Sequence, residues 1–192
     1  RDIMADPQSR IANLTLRTVE ARARLEPARQ TISSLQQRYK RLNLETIEAN
    51  VLGAEENISL AEDSLDGARQ GLKRPSEEHY PVAPAIVQAE KLLAQAERLL
   101  AAVDHADEDI THAQASLQGQ KEELTKTLAE AESFLSSPLA KSSTVNTNPV
   151  QNAVNLARQA LKRAESRGEA MPLPCYNELV AADTSLQSTL IS

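Results

Sequence analysis

The chain has 192 residues, a formal charge of −6 and an ordinary apolar fraction of 41%, enough for one or two small domains. Its apolar residues are chiefly Ala and Leu. Three Tyr, one Phe and no Trp exclude an aromatic-filled core and suit thin layers between closely packed helices. Lys and Arg are interspersed with Asp and Glu, which excludes the gathered basic patch of a nucleic-acid binder.

Five glycines leave little material for loops that cradle phosphates. A single cysteine, Cys175, excludes an internal disulfide framework and fits a reducing compartment. No apolar run approaches the ~18 residues needed to span a bilayer, and no signal peptide is visible. Opening on Arg1 rather than Met, the chain reads as an excised piece of a longer protein.

The first helix starts near Asp6-Pro7, an N-cap followed by proline at the first helical position. Its inward line is Ile11, Leu14, Thr18, Ala21, Leu25, Ala28, Ile32, Leu35, Tyr39 and Leu42. Those alternating three- and four-residue steps hold a 3.5-residue period for more than four heptads. Pro27 interrupts the run, so either the helix kinks there or it ends near Arg24 and restarts; because the line keeps its phase across Pro27, the kink is favoured.

The phase breaks between Leu42 and Leu44. A short helical piece from Leu44 to Ala49 is expected, then a second main helix capped by Asn50 and carrying Val51, Ala54, Ile58, Ala61, Leu65, Ala68 and Leu72. Leu60 widens its apolar face. Lys73 and Arg74 close it in the favourable dipole position before Pro75 forbids continuation. Residues 75–84 hold three prolines and read as a connector.

A third helix of roughly 50 residues follows, from Pro84 to Leu135, which at 1.5 Å per residue is roughly 75 Å long. Ile86, Ala89, Leu93, Ala96, Leu100 and Val103 make its main seam, continued by Ile110, Leu117 and Leu124. Leu92, Leu99, Ala106 and Ala113 repeat beside it every seven residues, so its first half can touch two partner helices. Asp107, Gln114 and Lys121 then occupy one heptad position, either as an exposed face or as a polar seam that sets pairing register.

Residues 136–149 are rich in Ser, Thr, Asn and Pro without a period, and read as a loop. Asn148-Pro149 starts a fourth helix with Val150, Val154, Ala157, Leu161 and Ala164 inward, ended by Gly168. After a connector, residues 169–174, a shorter fifth helix carries Tyr176, Leu179, Val180, Leu186 and Leu190, with Asp183 on or beside its seam. The expected fold is all-α and elongated: two antiparallel three-helix bundles, spectrin-like, sharing one long central helix, with residues 1–108 in the first and 109–192 in the second.

The stretches RYKRLNLETIEANVLGAEENISLAEDSLDGARQGL (residues 38–72) and APAIVQAEKLLAQAERLLAAVDHADEDI (residues 83–110) carry a resemblance. The closest phrase is AIVQAEKLLAQAERLLAAVD, from Ala85 to Asp104, and V.LARQALKRAE from Val154 to Glu165 echoes it. This text resembles the helical, coiled-coil-like region downstream of the TPM domain in actinobacterial TPM-domain membrane proteins. In that family a secreted TPM domain precedes a transmembrane segment, and a long Ala-rich helical region follows. The resemblance implies that this chain lies inside the cell, at the cytoplasmic face of the membrane. It also implies that the TPM domain and its metal or phosphatase-like chemistry are outside this chain, so it assigns no catalytic residue here.

The one polar constellation runs from Asp104 to His112. His105, Glu108, Asp109 and His112 follow at three- and four-residue steps, share a helix face and are the candidate ligands for a divalent metal. No HExxH pattern or second cluster accompanies them, and the plainer reading is a solvated face. Cys175 lacks a His or Asp partner in the sequence and reads as an inert thiol. His79-Tyr80 reads as loop surface, Asn13-Leu14-Thr15 and Asn57-Ile58-Ser59 as accidental glycosylation patterns on helices, and Lys40-Arg41 as helix-end charge.

These readings favour a non-catalytic structural or protein-interaction module without a cofactor. Its expected partners are proteins, with no nucleic acid and contact with the membrane only through a segment outside this chain. The chain itself is expected to be a monomer or weak homodimer. The alternative is a surface-exposed three-helix binding repeat recognising a host or matrix protein. A third reading, an enzyme or metal-binding domain, depends on the His105–His112 face.

Overall fold

The computed structural model describes residues 6–79 and 81–191. Among them there is no strand. The elements are α1 (Pro7–Ala23), α2 (Leu25–Arg38), α3 (Glu45–Leu72), a 3₁₀ turn (Ser76–Glu78), α4 (Val82–Leu135), α5 (Asn148–Arg167) and α6 (Pro172–Ile191). The chain divides into two compact units, one of residues 1–38 and 44–107, the other of residues 39–43 and 108–192. The sequence reading kept 39–43 and residue 108 with the first part; in the fold they cluster with the second.

Local chemistry explains most of the helix ends. Asp6 caps α1 by accepting the Ser9 N–H at 3.1 Å, and Pro7 occupies the position whose N–H needs no partner. The favoured kink at Pro27 is absent, and the other alternative, an end near Arg24 and a restart, is the one found. Helix α1 ends at Ala23, with the Arg24 N–H turned to the Ala21 carbonyl at 3.1 Å, and α2 begins at Leu25. Pro27 has no N–H for the Ala23 carbonyl. Ending α1 before that missing bond puts Pro27 in the first turn of α2, where the lack costs nothing. Because Ala21, Leu25 and Ala28 stay buried, the inward line crosses the break in phase.

A second correction concerns α3. The sequence reading split it into a Leu44–Ala49 piece and a helix capped at Asn50, but it runs unbroken from Glu45. Ile47 and Val51 are both buried and four residues apart, so packing continues through Asn50 and overrides its capping preference. Leu60, expected to widen the inner face, is instead 45% exposed. The long helix starts two residues earlier than expected, at Val82, which is 1% exposed. Pro84 falls within its first turn and is tolerated there. Likewise α6 starts at Pro172, inside the expected connector.

In the first unit, interhelical ion pairs show how the helices run. Arg10–Glu90 at 2.8 Å, Arg17–Glu97 at 2.9 Å and Arg24–Asp104 at 3.3 Å are each separated by 80 residues. A constant separation at seven-residue steps means that α1 and α4 run parallel there. On the other flank, Arg22 pairs with Glu62 and Arg29 with Glu55, both at 2.9 Å, and Gln36 reaches Glu48 at 3.4 Å. Each step forward on α1 and α2 is a step back on α3, so α3 is antiparallel to both. Between the two rows of pairs lie the fully buried Leu35, Ile58, Leu65, Ile86, Leu93 and Leu100.

Magnitudes separate these roles. Exposed pairs contribute about 0.2–1 kcal/mol each, while each buried Leu or Ile contributes about 1.5–3 kcal/mol. The apolar line holds the helices together, and the charged flanks select one register among the several that a heptad repeat allows.

The second unit is built by α5 and α6 with residues 108–135 of α4. Its core joins Leu124, Leu128 and Ala131 to Val150, Val154 and Ala157 of α5 and to Leu179, Ala182 and Leu186 of α6. Ala153 and Ala160, absent from the expected line of α5, are buried too. Arg158 bonds Glu132 at 2.6 Å, and Arg163 bonds Glu178 at 2.5 Å. Tyr39 to Asn43 lie against the α5–α6 turn, where the Asn43 N–H donates to the Ala170 carbonyl at 2.8 Å and Arg41 pairs with Glu169 at 2.9 Å.

Candidate functional site

The long helix places all four candidate metal ligands on its exposed surface: His105, Glu108, Asp109 and His112. Among the described residues, no group of three or more His, Cys, Asp or Glu is arranged to hold a metal ion. The His112 ring meets the edge of Tyr176 from α6, with centroids 5.5 Å apart and planes at 80°, the favoured T-shaped geometry. Sequence spacing shows which side chains share a helix face; it does not show that an aromatic neighbour engages one of them.

Asp107, Gln114 and Lys121 are all half-buried. Asp107 accepts a hydrogen bond from the Arg38 guanidinium at 2.6 Å. Gln114 lines an open depression of about 410 Å³ with Tyr39, Lys40, Arg41 and Glu169. Asp183 receives the Gln187 amide at 3.3 Å on one carboxylate oxygen, while the other is buried and has no hydrogen-bond partner among the described residues.

Cys175 is buried, and its thiol points to the Arg163 carbonyl at 3.8 Å. Burial pushes the thiol above its ordinary pKa, and the Glu178 carboxylate adds to this against the opposite pull of Arg167 and Arg163. Such a thiol is the reverse of an activated nucleophile. His79 is half-buried and donates from Nε2 to the Arg74 carbonyl at 2.5 Å; its neighbour Tyr80 lies outside the described residues. Asn13 is exposed on α1 and Asn57 half-buried on α3.

Sequence reasoning missed an outward-facing line on α1. Ala12, Leu16, Val19 and Ala23 are exposed, Leu16 by 59% and Val19 by 61%. They step by four, three and four, so they form a second apolar stripe on the helix side away from Ile11 and Leu14. The spacing was legible in the letters, but the stronger inner period concealed it. Beside the stripe, a groove between α1 and α3 is lined by Ile11, Ala12, Thr15, Arg69 and Leu72.

No helix among the described residues is long and apolar enough to cross a membrane. No protein-family model matches the chain, and no solved structure matches it. The chain is similar to UPF0603 protein MT2410 of Mycobacterium tuberculosis (strain CDC 1551 / Oshkosh) and to UPF0603 protein Rv2345 of Mycobacterium tuberculosis (strain ATCC 25618 / H37Rv). Identity is 30% over 191 residues in each case, which is 99% of this chain. The chain spans 28% of the length of the curated relatives that it matches.

Proposed function

We propose that the chain is a non-catalytic helical module for structure and protein interaction. In this reading it is part of a longer, membrane-anchored bacterial protein of the TPM-domain kind and faces the cytoplasm. The observation that carries the reading is the pair of seven-residue rows of ion pairs flanking α1 and the start of α2, Arg10–Glu90, Arg17–Glu97 and Arg24–Asp104 on one side, Arg22–Glu62 and Arg29–Glu55 on the other. They hold long helices in one register, as a module that presents side chains at fixed spacing requires. The finer architecture belongs to the same proposal: each unit is a three-helix bundle, and α4 serves both in a spectrin-like way. The pairing directions of α1, α2, α3 and α4 in the first unit support it. The match to proteins of which this chain spans 28% agrees with a module of a larger protein.

Photo-crosslinking in the cells that make the parent protein tests the reading, with a photoreactive residue placed singly at exposed positions of α1 and α5. Discrete heteromeric adducts are expected. Absence of any adduct from every position overturns it. Leu139→Cys in a Cys175→Ala background supplies an exposed thiol, and labelling it in the same cells with a membrane-impermeant reagent reports the side of the membrane: protection is expected, and labelling from outside favours the matrix-binding alternative.

A further inference from the structure

We draw no further inference here: the strongest candidate, the groove between α1 and α3 over Ile11, Ala12 and Leu72 with the exposed Leu16 and Val19 beside it, is an unpartnered apolar face, and nothing in the structure shows what covers it.

Discussion

Arg17 and Glu97 meet through two parallel hydrogen bonds, Nε to Oε1 at 3.0 Å and Nη2 to Oε2 at 2.9 Å. The fork fixes both distance and orientation between α1 and α4, and the bond to Glu97 raises the pKa of the Arg17 guanidinium, against the opposing effect of burial. Both side chains remain about one-third exposed, so solvent screens the pair. Arg17→Ala is expected to destabilise by about 0.5–1 kcal/mol, the upper part of the range for exposed pairs. Arg17→Glu with Glu97→Arg should recover most of that loss. Urea denaturation of the four corners of the cycle, at low and high salt, measures the coupling, which should shrink as salt rises.

Two glycines of α3 are expected to respond with opposite signs. A Cβ at Gly71 would lie 2.7 Å from Val82 Cγ2, whereas a Cβ at Gly67 meets nothing within 4 Å. Val82 is buried and stiff at χ1, so it cannot turn away. Gly71→Ala should cost about 1–3 kcal/mol. Gly67→Ala, which only removes backbone freedom on an exposed helix face, should add about 0.5–1 kcal/mol. Thermal melts of the two variants beside the parent give the comparison, and equal signs would contradict the packing of the α3 end on Val82.

The buried thiol of Cys175 yields a kinetic and a pH expectation. At pH 8 its alkylation should be at least about tenfold slower than that of the urea-unfolded chain, because the native thiol is both covered and shifted away from thiolate. The folded pKa is raised above the ordinary 9.0. The stability linked to the neutral thiol is therefore complete below about pH 9 and is lost as pH rises through the folded value. In denaturant titrations across pH 8–11, Cys175→Ala should flatten that alkaline decline.

Metal addition discriminates among readings of the α4 surface. With His105, Glu108, Asp109 and His112 exposed and His112 against Tyr176, neither zinc nor a chelator is expected to move Tm. A zinc-dependent rise that vanishes in His105→Ala would reassign this face as a metal site. His112→Ala should lower stability by about 0.5–1.5 kcal/mol through the lost ring contact, with or without metal.

Much of the packing was written in the spacing of apolar letters. Ile11, Leu14, Thr18, Ala21, Leu25, Ala28, Ile32 and Leu35 are all buried as their period requires, as are Ile86 to Val103 on the main seam of α4. A 3.5-residue repeat specifies which side of a helix leaves water, because that property is local to one element. The unbroken course of α4 through residues 104–121 follows from the same rule, with Gly119 exposed and the helix continuing past it. Helix ends were legible where a cap or proline acts alone, as at Asp6 and at Gly168 after α5.

Only the tertiary structure decided the rest, and the reason is that partners across helices are not neighbours in the chain. Arg10, Arg17 and Arg24 are ordinary surface charges in the letters; their roles depend on carboxylates 80 residues away arriving at the same height. Between a kink at Pro27 and a stop near Arg24, the structure decides for the stop, because the missing bond lies at Ala23, four residues upstream of the ring. Ala153 and Ala160 entered the core of the second unit because close helices bury small side chains that transfer energies rank low. Leu16 and Val19 look like core by composition, and only their position outside the α1–α3 contact shows that they face water. The repeat therefore determines the inward face of each helix, while register, partners and the exposed stripe on α1 depend on the three-dimensional meeting of distant segments.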